Sequence, residues 1–187
     1  LNQVVPSLHA DGAEVTLRAT SGAGDATRLA AGAAAEAFDV VVAAGGDGTA
    51  NEVANGLIGT GLPMAVLPLG TANVLAAELG LGDDPAVLAE RIIAGPLQPV
   101  HLGIANGRHF LLMAGVGFDA HVVAEMNPRW KRALGKAAYV LKSLLLLRRY
   151  RFPAFEVRID GVAYRAYSVV VAKAHYYGGK HVCAPEA

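Results

Sequence analysis

Asp47 stands between glycines in the run Gly45-Gly46-Asp47-Gly48-Thr49-Ala50-Asn51. Packing has little use for a carboxylate there, and an ionised group is costly unless metal or donors meet it. The chemistry such a group offers is to handle Mg²⁺ or a proton. The three glycines lack Cβ atoms, so the backbone can turn sharply and come close to a ligand. Where such a turn opens a helix, free N–H groups and the positive end of the helix dipole favour phosphate. The loop from Gly45 to Asn51 is therefore expected to bind an anion. It has no Walker lysine, and its glycines do not form G-x-G-x-x-G, so neutralisation would fall to the backbone and Mg²⁺. The bland alternative is a tight turn in which Asp47 accepts hydrogen bonds. Thr49 to Glu52 also has the S/T-x-x-E form of a capping box.

The elements that must position this loop are a strand before it and a helix after it. Val40 to Ala44 is a short apolar run rich in β-branched residues, as suits a strand covered on both faces. Val53, Ala54, Leu57 and Ile58 continue as one helix face, ended by Gly59 and Gly61. Pro63 to Leu69 repeats the strand signal, followed by the turn Gly70-Thr71-Ala72-Asn73 and a helix from Val74 to Leu81. Two such turns on adjacent parallel strands would flank one crevice. Thr71 and Asn73 could bond phosphate or sugar there, or cap the helix. Upstream, Leu1 to Leu8 reads as the end of a helix, Glu14 to Thr20 as a strand, and the segment after the Thr20–Ala26 turn as an alanine-rich helix to about Ala37. Asp83-Asp84-Pro85 starts a further helix that runs to Gly95-Pro96.

After Pro99 the texture changes to closely spaced strands: Val100 to Ala105, Arg108 to Gly115, Phe155 to Asp160 and Val162 to Ala172. Asn106-Gly107 and Asp160-Gly161 are two-residue hairpin signals. The expected fold is α/β: a three-layer N-terminal domain with a parallel sheet over residues 1–98, then a mostly antiparallel β domain over 99–187. The exception is a helical stretch from Pro128 to Tyr150, in which Trp130, Lys131, Arg132, Lys136, Lys142, Arg148 and Arg149 surround Tyr139, Val140 and Leu144 to Leu147. It could lie on an anionic membrane surface, or pack its leucines on its own sheet.

Composition excludes several classes. Mean hydropathy of +0.37 with 53% hydrophobic residues marks a globular, rather apolar chain. No run of about eighteen uncharged apolar residues occurs, so no spanning helix is expected, nor is a signal peptide. The single cysteine, Cys183, cannot form an internal disulfide and fits a reducing compartment. Net charge is zero, yet residues 1–128 hold four Lys/Arg against thirteen Asp/Glu, and residues 129–187 hold twelve against three. Eight of the basic residues lie between Arg129 and Arg151. Such asymmetry hints at an oriented partner. His175 and His181 lack a ligand partner set, so no metal is assigned to them, and metal ligands in general stay unassigned.

The run GGDGTANEVANGL resembles the signature of the diacylglycerol kinase catalytic-domain family, which includes bacterial lipid kinases, sphingosine kinases and ceramide kinases. The tetrad GGDG alone is shared with NAD kinases and phosphofructokinases. Pro68 to Asn73 (PLGTAN) resembles the family's second nucleotide-side motif, and Gly115 to Ala120 (GVGFDA) its hallmark in the second domain. Tyr177-Gly178-Gly179 and Ala184 to Ala187 spread the likeness over nearly the whole chain. The resemblance implies an ATP- and Mg²⁺-dependent kinase phosphorylating a lipid hydroxyl, such as that of diacylglycerol. Nucleotide would meet Gly45, Gly46, Asp47, Gly48, Thr49, Ala50 and Asn51, with Thr20 and Thr71 at the edges and Asp47 in the catalytic role. It also implies that a first strand with a phosphate loop precedes this chain, and that an Asp-Gly segment and an acidic base follow it. Three departures stand out: Val74 where many members carry Asp, Lys173 for a usual Asn and Lys180 for a usual Gly. The expected setting is cytoplasmic and peripheral to a membrane, with a lipid substrate, no nucleic acid and a homodimer as a candidate assembly. The rival readings are a soluble-substrate kinase of the NAD kinase type and a non-catalytic, nucleotide-responsive membrane-binding module.

Overall fold

The computed structural model describes residues 1–126 and 136–187. Their packing forms two compact units, Leu1–Leu112 with Ala174–Ala187, and Met113–Lys173.

The first unit is built on two parallel strands, β1 (Val41–Gly45) and β2 (Met64–Pro68), in register from Val41↔Met64 to Gly45↔Pro68. Alternate residues of a strand face opposite sides, and here each side has its own core. Val41, Ala43, Met64 and Val66 join α2 (Asp25–Ala33), α3 (Asp47–Leu57) and α4 (Val74–Glu78) through Ala26, Ala30, Ala50, Val53, Leu57 and Leu75. Val42 and Leu67 face the other way, onto Val4 and Leu8 of α1 (Val4–Ala10) and Leu88 and Ala89 of α5 (Pro85–Ala94). Helix, sheet and helix make the expected three layers. The small residues of α2 let α3 approach closely: a Cβ at Gly56 would run into the Thr27 carbonyl and come within 2.8 Å of the Ala30 Cβ. Asp84 caps α5, its carboxylate accepting from the N–H groups of Ala86 and Val87, with Pro85 in the first turn as the sequence predicts.

Three local readings need correction. Residues 13–20 form no strand among the described residues, although Ala13 and Val15 pack on the second core. Alternation marks a half-buried face, and a strand also needs a ladder partner. Helix α3 begins at Asp47, two residues before Thr49, so Thr49 is not its cap and no side chain caps it at Gly46. The capping box fails because Glu52 is used elsewhere: its Oε2 accepts from Ala26 N–H (3.2 Å), closing the first turn of α2. Finally, α4 stops at Glu78 instead of reaching Leu81, where Gly80 takes φ +60°.

A hairpin, β3 (Gly103–Ala105) and β4 (Arg108–Phe110), completes this part of the chain. Asn106 and Gly107 both have positive φ, +50° and +76°, as a type I′ turn requires. A short β9–β10 pair (Tyr176–Tyr177, His181–Val182) belongs to the same unit.

In the second unit β5 (Met113–Gly117) pairs antiparallel with β8 (Ser168–Ala172), and β6 (Phe155–Ile159) with β7 (Val162–Ala166). Asp160 and Gly161 again form the positive-φ turn the sequence predicts. Helix α6 (Phe118–Ala124) is not expected from the sequence, because seven residues show too little period to separate from the strand before them. Helix α7 (Lys136–Leu147) lies in the stretch predicted to be helical, and the part of that stretch from residue 128 to 135 lies outside the described residues.

Helix α2 carries a pH-dependent element. Asp25 Oδ2 accepts from Ser21 Oγ (2.5 Å), Ser21 N–H (2.9 Å) and Gly22 N–H (3.2 Å), and Arg28 pairs with Oδ1. The Ser21 hydrogen bonds, with Arg28, lower the carboxyl's pKa from 3.8 to about 2. A lowered folded-state pKa stabilises the fold above the unfolded value, and that contribution is lost as pH falls through the folded one. Melting curves are therefore expected to show wild type losing its advantage over Asp25→Asn between about pH 4 and pH 2. A constant difference across that window would refute it.

Candidate functional site

Beyond the last register pair, Leu69 N–H donates to the Gly45 carbonyl (3.0 Å), and the two glycine turns then meet backbone to backbone. A Cβ at Gly46 would sit 3.2 Å from Gly70 Cα, and one at Gly70 would run into Gly46 Cα and lie 2.7 Å from Asn73 Oδ1. A Cβ at Gly45 would come within 2.5 Å of Thr49 Oγ1. Packing thus demands glycine at 45 and 70, while a side chain at 46 would need its neighbour to give by a few tenths of an ångström. Gly48 is different: it is exposed, and a Cβ there meets nothing within 4 Å. Its backbone is helical, where glycine is less favourable than alanine by up to about 1 kcal/mol. The fold gives no reason for a glycine at 48.

The backbone around Gly48 also has unused donors. The first bond of α3 runs from Ala50 N–H to the Gly46 carbonyl (3.1 Å), so the N–H groups of Asp47, Gly48 and Thr49 have no acceptor within the helix. Asp47 reaches across to the second turn. Its Oδ1 accepts from Leu75 N–H (3.0 Å), in the first turn of α4, which Asn73 does not cap. Asp47 is thus in part the turn-stabilising acceptor of the bland alternative. Among the described residues its second oxygen has no hydrogen-bond partner.

The remaining candidates separate. Thr71 is exposed in the turn beside Gly70 and makes no side-chain hydrogen bond among the described residues. Asn73 sits at φ +49° and closes its own turn, accepting from Gly70 N–H (2.9 Å) and donating to the carbonyls of Gly70 (2.9 Å) and Pro68 (3.3 Å). Ala50 is buried, so only its backbone could serve a ligand, and its N–H is already bonded. Asn51 is spent on the fold: it accepts from Leu111 N–H (3.0 Å) and donates to the His109 carbonyl (3.4 Å). One turn on, Asn55 exchanges both bonds with the His109 backbone, at 2.9 and 3.2 Å. Two amides four apart on α3 thereby satisfy the edge of β4. Thr20 is exposed, next to the Ser21–Asp25 turn, and no hydrogen bond among the described residues ties it to the loop.

Sequence reasoning misses Glu78. From the end of α4 it accepts from Tyr176 N–H (2.7 Å) and pairs with His175 Nδ1 (3.0 Å), so the C-terminal segment is pinned to the helix that follows the second turn. Nothing in the local sequence signals a pairing across 97 positions.

Comparison with known proteins decides the family. The diacylglycerol kinase catalytic domain matches residues 1–105, more than half of the chain. The chain belongs to the diacylglycerol kinase catalytic-domain family. The YegS C-terminal NAD kinase beta sandwich-like domain matches residues 113–187. Among curated relatives, a protein named diacylglycerol kinase from Bacillus subtilis is 35% identical over 192 residues, covering 100% of this chain and 63% of that protein. A Pseudomonas putida protein named "Probable lipid kinase YegS-like" is 35% identical over 191 residues, covering 100% and 64%. A crystal structure from Bacillus anthracis, named for a diacylglycerol kinase, superposes with a TM-score of 0.77 at 30% identity, covering 99% of this chain and 62% of that one. The chain thus spans under two thirds of the length of these relatives.

In this diacylglycerol kinase family member the GVGFDA hallmark is also built by packing. Gly117 has φ +95°, and a Cβ there would run into the Tyr167 carbonyl on the approach to β8. Asp119 folds over Gly115, where a Cβ would lie 2.5 Å from its Oδ2. Among the described residues no three His, Cys, Asp or Glu cluster to hold a metal. Magnesium needs no such cage when nucleotide phosphates and waters fill most of its shell, so the single free oxygen of Asp47 fits a Mg²⁺ carried in with a nucleotide.

Proposed function

We propose that this chain is the catalytic part of an ATP-dependent lipid kinase, transferring the γ-phosphoryl group to a lipid hydroxyl such as that of diacylglycerol. Residues 1–98 would hold nucleotide and residues 99–187 the lipid. The observation that carries the reading is Gly48, an exposed glycine the fold does not need, in the helix turn whose three first N–H groups have no acceptor within the helix. Its missing side chain makes sense when a phosphate occupies that space. Gly45, Gly46 and Gly70 would shape the cradle, Thr49 and Thr71 offer hydroxyls at its rim, and Thr20 would stand further out.

Phosphoryl transfer asks mainly for positioning and charge neutralisation, so backbone amides can serve without a Walker lysine. The bond from the γ-phosphorus to the bridging oxygen breaks, ADP leaves, and the lipid oxygen gains the phosphoryl group and loses its proton. Asp47 would orient the acceptor side of this exchange, its free oxygen holding Mg²⁺ or taking that proton. Mg²⁺, when bound with nucleotide, supplies charge neutralisation. The family membership and the names of the relatives support the choice of a lipid acceptor.

The full-length protein, given ATP labelled at the γ-phosphate, is expected to label diacylglycerol in detergent micelles and to leave NAD unlabelled. Label in NAD alone would turn the reading toward a soluble-substrate kinase. Transfer to neither, in a protein that binds ATP, would turn it toward a non-catalytic module.

A further inference from the structure

Helix α4 has five residues, Val74–Glu78, too few to be stable by itself. Val74, Leu75 and Ala76 are buried, but apolar packing is non-directional and fixes only how deep the helix sits. Its rotation and register are left to the directional bonds at its two ends. At the first end Leu75 N–H donates to Asp47 Oδ1 (3.0 Å), while Asn73, in the cap position, is spent on the Gly70 turn. At the other end Glu78 uses both carboxylate oxygens, Oε1 on Tyr176 N–H (2.7 Å) and Oε2 on His175 Nδ1 (3.0 Å). The two grips are about 4.5 Å apart along the helix axis.

What Glu78 holds is a braced loop. The His175 carbonyl accepts from Cys183 N–H (2.8 Å) and Ala184 N–H (3.2 Å), and β9 pairs with β10 through His181↔Tyr177 and Val182↔Tyr176. Ala174, next to the grip, is buried, and there the chain re-enters the first unit after residues 113–173. Hydrogen bonds to a carboxylate are roughly twice as strong as neutral ones, so this grip is firm. Leu75 N–H can steady Asp47 only as well as α4 is itself steadied. With one oxygen held, the Asp47 carboxylate cannot swing, and its second oxygen keeps one direction. Misplacing a reacting group by 1 Å can cost about 10²-fold in rate.

We propose that Glu78 is a positioning residue for phosphoryl transfer: by clamping His175 and Tyr176 to the end of α4 it fixes that helix and, through Leu75 N–H, the direction of the Asp47 carboxylate. The inference rests on the lipid-kinase reading, in which Asp47 serves the reaction.

The test is a double-mutant cycle in the full-length protein, read by transfer to diacylglycerol in micelles and by amide exchange at Leu75. Glu78→Ala is expected to lower kcat at least ~10-fold with KM for ATP nearly unchanged, and to speed Leu75 exchange at least ~10-fold. Glu78→Gln keeps the length and an acceptor for Tyr176 N–H, and its amide can donate to His175 Nδ1 in the other tautomer, so it is expected to restore kcat to within about threefold of wild type. In the Asp47→Asn background, Glu78→Ala is expected to cost less than about twofold, because the group it positions is gone. An equal loss of kcat in both backgrounds, or a lower melting temperature with kcat intact, would make Glu78 merely structural and overturn the proposal. So would unchanged exchange at Leu75. Should Glu78→Ala misfold, His175→Ala, which leaves the Tyr176 bond in place, carries the same comparison with an expected loss of about threefold, and no change in kcat or exchange there overturns it too. Faster Leu75 exchange in Glu78→Ala, with wild type transferring phosphate to no acceptor, would leave the clamp standing and overturn the kinase reading.

Discussion

Asp47→Asn in the full-length protein is expected to lower kcat by at least ~10²-fold, the range seen when a charge-stabilising or acid–base group is lost, with a melting temperature that barely moves. The geometry makes the two readouts separable. One oxygen of Asp47 already accepts from Leu75 N–H at 3.0 Å, joining α3 to α4 across the two turns. The amide oxygen of asparagine can take over that bond, so what is lost is charge. Asp47→Ala removes the acceptor as well and leaves the Leu75 N–H without its partner, a cost of about 1–3 kcal/mol. If Asp47 only ties the helices together, Asp47→Asn turns over at a near-normal rate and Asp47→Ala is simply less stable. If its second oxygen serves the reaction, both variants lose kcat alike and differ only in stability. Thermal melts and steady-state kinetics on the two proteins distinguish these outcomes.

Gly48→Val is expected to weaken ATP binding by about 10²-fold in a protein that still folds. Branched carbon would fill the space outside the free N–H groups of Asp47, Gly48 and Thr49, and two lost hydrogen bonds to a charged phosphate, at about 1.5 kcal/mol or more each, account for that factor. Folding should survive because a Cβ at Gly48 has no neighbour within 4 Å. Gly48→Ala sharpens the test: it should raise stability by up to about 1 kcal/mol, since alanine suits a helix better, and still weaken ATP. Opposite signs in stability and affinity are the mark of a glycine kept for a ligand. Unchanged ATP affinity in a folded Gly48→Val protein would remove the loop from the nucleotide site.

How much of this was legible beforehand differs residue by residue. The strand at Val41–Gly45, the presence of a helix after it and the turns at Asn106-Gly107 and Asp160-Gly161 follow from local rules, because apolar period, missing Cβ atoms and positive φ act over a few residues. The fold class follows too, since a buried strand flanked by helices admits few arrangements. The failures share a cause. Thr49 and Glu52 have the spacing of a capping box, yet Glu52 turns to α2, 26 positions away. Asn51 looks like a ligand group until β4 takes its amide, and Glu78 looks like an ordinary helix residue until the C-terminal segment reaches it.

The chain's own residues determined that a glycine-rich turn with one carboxylate would stand at the end of a buried strand, and that positive charge would gather in the second half. Tertiary structure alone decided which of those glycines the fold requires and which it does not, because a Cβ clash depends on what packs opposite. A side chain at Gly70 would run into Gly46 only because two parallel strands bring their turns together. It also decided that the leucines of α7 face outward, since periodicity gives a helix an apolar side but not the direction in which that side points.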